Sequence, residues 1–485
     1  MKMKTRRFDA AKGNRTLSAW ALSSSTRFDT ELEMDLESLR TRSRDLTQND
    51  PYAMRYVKLV SNNVIGPSGI DTRIRAKDTN GALDTFANDR IRTAFLDWSR
   101  SATVDGTDWI TAQRLFVETT IRDGEVLVQL VPKRKFGKYG FALRFLEAEH
   151  LDVHYNAATA GGNIIRNGIE YDEDGVIVAY HIWKYHPYDL YERAGQARLR
   201  IPKEDLIHAY IKERASGNRG YPWLASGMIN LQHLKEYQKS ELIAARAEAN
   251  KIGIATRPKG EDYPADGDDA DDARAVLQNL EPGSFDLLPD GYSVELLDPT
   301  HPNSHFDAFL KAVLRGVAAA GNVSYHSLAN DLTSTNYSSA RIATIEEREF
   351  YKSVQRWVIE TLCRPVYSKW LQVVLLNGSL GFPVERFEKF SAVEFIPRKW
   401  VWIDPSKDAV STKLLLDYKL RSRTEVCKDL GRDFDDVVQE IARENELMKQ
   451  LGVQAEQVDA NIANMIQPGD NPAEDAVRPA EDETD

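Results

Sequence analysis

Apolar residues recur at helical spacing from Asp29 to Leu46 ("DTELEMDLESLRTRSRDL") and again through "DPYAMRYVKLVSNNVIG", where Pro51 suits a first helical turn. The pattern predicts two consecutive helices behind a polar, mixed arm over residues 1–30. After the Gly66-Pro67 turn and a strand-like "IDTRIRA", further helices fit Leu83 to Ser99 and Asp108 to Arg122. Alternating runs then take over in "GEVLVQLVP", "FALRFLEAEHLDV", "NIIRNGIEYDEDGVIVAYHIWKYHP" and "LRIPKEDLIHAYI", with Asp174-Gly175 as a hairpin signal. The first part therefore reads as an α+β domain ending near Tyr221.

Beyond it the period changes. Ser226 to Ile252 reads as one helix of about 40 Å at 1.5 Å per residue. An acidic segment follows, containing a short helix ("DARAVLQNL") and two strand-like runs, "GSFDLLP" and "YSVELLDP". Ser304 with Asp307 is a capping signal for a helix from His305 to Gly321, apolar at Phe306, Phe309, Leu310, Val313, Leu314 and Val317. A polar stretch, Asn322 to Tyr337, separates it from the longest helical pattern, Ser338 to Leu376, about 58 Å if continuous, which Pro365 should kink or break. A strand-like "SAVEFIP", the turn "WIDPSKDA" and two helices, Asp408 to Lys419 and Thr424 to Leu451, complete the pattern. After Gln467 the composition predicts disorder.

The net charge of −11 is concentrated. Glu261 to Asp272 holds seven acids and no base, and Asp470 to Asp485 holds seven acids against Arg478, so the remainder is close to neutral. No apolar stretch approaches the ~20 residues of a membrane helix, and the basic N-terminus lacks the apolar core of a secretory signal, so the expectation is a protein that stays in the cytoplasm after synthesis. With Cys363 and Cys427 alone, neither a disulfide framework nor a cysteine zinc site is expected.

Catalytic motifs are absent as well: no Walker A loop, no Gly-x-Ser-x-Gly elbow and no His-Glu-x-x-His. His301 and His305 have the spacing of a helical metal pair, but Pro302 intervenes. Asp172, Glu173 and Asp174 fit a hairpin tip. Glu147 and Glu149, read as neighbours along one face of an alternating strand, are the one carboxylate pair that would suit a hydrolase acting on DNA or polysaccharide. Trp357, Trp370, Trp400 and Trp402 read as packing residues, the last two flanking Val401 in strand-like alternation. The basic "PKRKFGKYG" (Pro132 to Gly140) reads as an exposed hairpin turn able to touch phosphate.

The order of these parts resembles the portal proteins of tailed bacteriophages, in the lambda-like branch. The likeness runs from about Asn14 to Leu451. It rests on "RDLTQNDPYAMRYVKLVSNNVIGPSGI", "RGYPWLASGMINL", "YHSLANDLTSTNYSSARIATIEEREFY", "FIPRKWVWIDPSKDA" and "SRTEVCKDLGRDFDDVVQEIARENE". The resemblance implies an α+β portal fold assembling as a closed ring, usually of twelve subunits, at one capsid vertex. It implies no catalysis, no cofactor and no metal. Residues 31–225 would be the wing, 226–252 and 303–321 the stem helices, 253–302 a small α/β clip and 322–337 the tunnel loop. Residues 338–404 would be the long kinked helix and a wing return strand, 405–466 the crown and 467–485 an acidic tail.

The implied partners are further copies of the chain, the terminase large subunit, the major capsid protein and scaffold, head-completion proteins and double-stranded DNA in transit, with no membrane. The tunnel loop would present Asn322, Ser324, Tyr325, His326, Ser327, Asn330, Asp331, Thr333, Ser334, Thr335 and Asn336 to the duplex. The clip would dock terminase or adaptor through Asp266, Asp268, Asp269, Asp271, Asp272 and Arg274, unless that run merely solubilises. The residues of Asn322 to Tyr337 agree with a channel role, since the stretch has one acid and no Lys or Arg. Each phosphate-paired cation would add counterion-release affinity and retard sliding. The contrasting expectations are the Glu147/Glu149 hydrolase and a capsid scaffold without a channel.

Overall fold

The computed structural model describes residues 27–189, 197–249, 253–256, 293–296, 306–333, 336–400, 405–432 and 434–452. The chain divides into two compact units, one up to Arg398 and one from Lys399. The acidic run with Asp266, Asp268, Asp269, Asp271, Asp272 and Arg274, the "DARAVLQNL" and "GSFDLLP" segments, His301, Ser304, His305, Trp402 and the tail lie outside the described residues.

In the first unit, α1 (Phe28–Asn49) and α2 (Pro51–Val64) meet at Asp50. The Asp50 carboxylate accepts from the Tyr52 and Ala53 amides at 3.0 and 2.8 Å. That cap and Pro51 at the first turn restart the helix in a new direction. Helix α1 thus takes in residues 28–30 of the expected arm. Strand β1 (Asp71–Ile74) precedes α3 (Thr85–Ser99) and α4 (Trp109–Asp123). Asp108 caps α4, and Gly124 ends it at φ 87°, a left-handed value natural to glycine.

Two sheets follow. β2 (Glu125–Pro132) and β3 (Phe141–Leu146) form the expected hairpin around the basic turn. A 3-10 turn (Ala148–His150) leads to β4 (Ala157–Ala158), β5 (Ile164–Arg166), β6 (Ile169–Tyr171), β7 (Ile177–Trp183) and β8 (Arg198–Pro202). These five make an antiparallel meander in sequence order, whereas β9 (Leu206–Tyr210) returns to the other side of β2, giving the order β3-β2-β9. The two sheets share a core of Leu127, Leu151, Ile169, Tyr180, Ile182, Ile201 and Leu206.

Helix α5 (Met228–Ala249) is followed by the antiparallel strand pair β10 (Gly253–Thr256) and β11 (Ser293–Leu296) and by α6 (Phe306–Ala320). The partner strand β10 carried no clear signal in the sequence. Tyr237 of α5 packs on Phe306 and Phe309 of α6, with centroids 5.7 and 4.9 Å apart. Two elements then depart from expectation. The polar stretch contains a short helix, α7 (Tyr325–Ala329). The long helix runs as α8 (Tyr337–Val358), one π turn (Ile359–Cys363) and α9 (Arg364–Leu376). The widened turn falls just before Pro365, and the helix continues through the proline instead of ending.

Trp370 is fully buried in α9 against Phe95, Trp98 and Tyr367, while half-buried Trp357 lies on Phe116 at 5.3 Å. After α10 (Phe387–Phe390), β12 (Val393–Ile396) pairs antiparallel with β1 and closes the unit. The strand stops before Trp400, so the alternation around Val401 does not extend it. The second unit holds α11 (Pro405–Asp417), α12 (Arg423–Asp429) and α13 (Phe434–Gln450). Where one helix was expected from Thr424 to Leu451 there are two, separated at Gly431, whose φ of 75° is left-handed.

Candidate channel segment and buried charge network

The polar stretch between α6 and α8 is a folded unit. Asn322 adopts φ 53° and the Val323 amide donates back to the Ala318 carbonyl at 3.1 Å, closing α6. Ser324 caps α7, its hydroxyl accepting from the Ser327 amide at 3.2 Å. Both serines also reach α8: Ser324 Oγ and Ser327 Oγ donate to Glu347 Oε2 at 3.1 and 2.8 Å. Tyr351 donates to the other Glu347 oxygen. Glu347 is buried, and these three hydroxyls replace its water.

On the other side, Arg55 Nε of α2 donates to the Ser327 carbonyl at 3.2 Å, and Tyr56 OH donates to the Gly321 carbonyl at 3.0 Å. Leu328 fills the space beneath.

Asp331 organises the rest. Its carboxylate accepts from Tyr325 OH at 2.9 Å, Thr333 Oγ1 at 2.6 Å and the Thr333 amide at 3.0 Å. The Thr333 hydroxyl is the main cause that pulls its pKa down to about 2, so it is ionised at neutral pH. His326 Nδ1 donates to the Asp331 carbonyl at 3.0 Å. Desolvation, with Asp331 second, pushes the Tyr325 phenol up to about 12. Asn330 turns the chain at φ 55°, and Asn336 caps α8 by accepting from the Ser339 amide at 2.8 Å. Ser334 and Thr335 lie outside the described residues.

Cations absent from the segment itself come from its neighbours. Lys311 Nζ of α6 sits 2.8 Å from Asp307 and 3.9 Å from Asp331, and the Arg315 guanidinium lies over the Tyr325 ring at 5.5 Å. Lys311 is thus neutralised by acids beside it. Glu347, Arg55, Tyr56, Lys311 and Arg315 come from other helices, and nothing in the local pattern around residues 322–337 signals them.

Glu147 and Glu149 are not neighbours on a strand. They flank the 3-10 turn, and Arg44 binds them, Nη2 at 2.9 Å from Glu149 and Nη1 at 3.9 Å from Glu147. His186 Nε2 lies 3.1 Å from Glu147. These three could each offer an atom to a metal within 4.8 Å of one another. Arg44 already supplies the positive charge there, and the pair lacks the free general acid that glycoside hydrolysis requires.

A fully buried charge network in the first unit was not singled out in the sequence. Glu125, at the start of β2, is fully buried. It accepts from Arg40 of α1, from Arg219 Nε at 2.9 Å, from His208 Nε2 of β9 at 2.8 Å and from the Gly220 amide at 3.1 Å. Arg40 Nε donates to the Asp123 carbonyl at 3.1 Å, and Arg219 Nη1 to the Asn167 carbonyl at 3.2 Å. Asp123 in turn binds Arg44 at 2.8 Å. Burial opposes the Glu125 charge, but Arg219 and Arg40 overcome it and hold the carboxyl well below the ordinary carboxylate range. Burial pushes His208 down, so its ring is neutral. Charges this well matched stitch α1, both sheets and the Asn218–Gly220 turn into one body.

A family model and curated relatives show the class of protein that these helices, two sheets and polar connector belong to, the phage portal proteins. The model of the lambda family of phage portal proteins matches residues 13–355. A portal protein of Halomonas phage phiHAP-1 is 34% identical over 460 residues, covering 93% of this chain and 88% of that one. Portal protein B of Escherichia phage lambda is 19% identical, covering 83% and 82%. Among solved structures, the neck of a native gene transfer agent particle covers 82% of this chain and 93% of its own, at 14% identity and a TM-score of 0.45. An HK97-family phage portal protein from Corynebacterium diphtheriae covers 76% and 97%, at 12% identity and a TM-score of 0.35. The chain belongs to the lambda family of phage portal proteins. It is a structural protein, not an enzyme, and among the described residues no helix is long and apolar enough to cross a membrane.

Proposed function

We propose that twelve copies close into a ring at one capsid vertex and that residues 322–337 of each line its narrowest passage. Terminase drives the duplex in through this passage, and the genome later leaves by it. The carrying observation is the build of the segment. It has no cation of its own, its acid is tied to Tyr325 and Thr333, and its short hydroxyl and amide groups are held in place from α2 and α8. Such a surface makes brief contacts to a moving phosphate backbone without fixing its register.

Residues 31–225 serve as the wing in this reading, 226–252 and 303–321 as the stem, 253–302 as the clip and 405–466 as the crown. Cyclic repetition turns the aspartates from Asp266 to Asp272 into a collar of negative potential that attracts basic surfaces of terminase and head-completion proteins. Assembly in the host cytoplasm, with capsid protein and scaffold, precedes residence in the virion. Deleting His326 to Asn336 tests the channel role: rings should still form, and genome-filled particles should be lost. Normally filled particles from that deletion would refute the assignment.

A further inference from the structure

Five aromatic side chains, Tyr56, Tyr221, Trp223, Phe350 and Trp357, line a cavity of about 360 Å³ with Glu213 at its rim, and no lysine or arginine lines it. Its walls come from α2, the end of the wing and α8. Two glycines let the backbone close up beside it. A Cβ at Gly124 would lie 2.2 Å from the Tyr221 backbone, and one at Gly220 would lie 2.2 Å from the Gly124 carbonyl oxygen. The 220–221 backbone therefore closes on the end of α4 and places Tyr221 in the cavity wall. Tyr221 OH donates to the Glu213 carboxylate. Trp223 is fixed by its amide, which donates to the Ile121 carbonyl at 3.1 Å, and by Phe350 at 6.3 Å. Aromatic faces and a carboxylate around one space, with no base among them, favour an ammonium or guanidinium.

A source of such groups begins at the same place. Phe28, one residue into the described chain, packs edge-on against Tyr221 at 5.9 Å. The preceding 26 residues carry Lys2, Lys4, Arg6, Arg7, Lys12 and Arg15 against the single acid Asp9. Arg15 lies within ~40 Å of extended chain from Arg27. We propose that the cavity is the docking site for a basic side chain of the same chain's N-terminal segment, residues 1–26, which folds back past Tyr221. The proposal stands apart from the channel reading.

The test uses the full-length protein with p-benzoylphenylalanine at Ser353, an exposed residue at the cavity's edge, and a second variant with it at Phe350. After irradiation, mass spectrometry should find cross-links to peptides within residues 1–26. Their yield should fall about fivefold or more in Glu213→Gln, and as far when the six basic residues of the segment are changed to Gln. In protein assembled from mixed light and heavy isotopes, those cross-links should stay within one isotopic population. Cross-links to another segment, cross-links between populations, or none from either position in folded protein would overturn the proposal.

Discussion

The buried wing network and the 322–336 segment are both polar, and they use polarity in opposite ways. Around Glu125 full charges are sealed from water and each is matched by a partner at fixed geometry. In the segment, short hydroxyls and amides do most of the bonding, and the acids at its edges are turned inward on Tyr325, Thr333 and the two serines. Buried paired charge ties these elements together, because breaking one pair strands another ion in a low dielectric. Neutral groups on an internal frame give, in the proposed channel, a surface suited to touch DNA without holding it.

The largest effect should come from breaking the first of these. Glu125→Gln leaves Arg40 and Arg219 buried without their carboxylate and should cost about 3–5 kcal/mol, read as a large drop in the thermal midpoint. If the midpoint hardly moves, the network is not what fixes the wing. Next is Glu347→Ala, which removes the acceptor for Ser324, Ser327 and Tyr351 and should cost about 1–3 kcal/mol. Amide exchange should then rise across residues 322–333 while the wing sheets stay protected; equal exchange in both regions would erase the contrast between them.

The pH response should separate the regions further. His208 is neutral when folded, its pKa shifted down by burial. As pH falls through about 6.5, the unfolded chain takes up a proton that the folded chain refuses, so stability declines by up to ~1.4 kcal/mol per pH unit until the folded ring itself titrates. Glu125 adds a second loss only in more acidic solution, below the ordinary carboxylate range. Replacing His208 by Gln should flatten the decline between about pH 6.5 and pH 5.5. An unchanged slope would place the titrating group elsewhere. The smallest effect belongs to Asp331→Asn, which should leave global stability nearly unchanged while raising amide exchange locally at Thr333.

Much of this was legible in the chain because the signals were local. Pro51 at a first turn, the Asp174-Gly175 turn and the apolar stripe of Phe306 to Val317 each fix an element within a few residues of themselves. The polarity of Asn322 to Asn336 was equally plain. What escaped depends on partners far apart. The β1–β12 pair joins Asp71 to Ile396 across most of the first unit. Arg40, Glu125, His208 and Arg219 meet only once α1, two strands and a turn are stacked, and no one-dimensional period encodes that. Helix α7 was hidden because a five-residue helix held by Glu347 and Arg55 needs no amphipathic stripe. Pro365 was correctly seen as a disturbance, but a π turn absorbs it, an outcome set by packing around Leu362 and Cys363. Glu147 and Glu149 looked paired only because the 3-10 turn between them was read as strand.

The central claim is closure of many copies around an axis lined by residues 322–337, and cryo-electron microscopy of the purified full-length protein, viewed down that axis, tests it most directly. With 54.9 kDa per chain, the account predicts a ring of about 660 kDa whose narrowest density is the connector between α6 and α8. A single-subunit particle, or a ring carrying that connector on its outer rim, would contradict it.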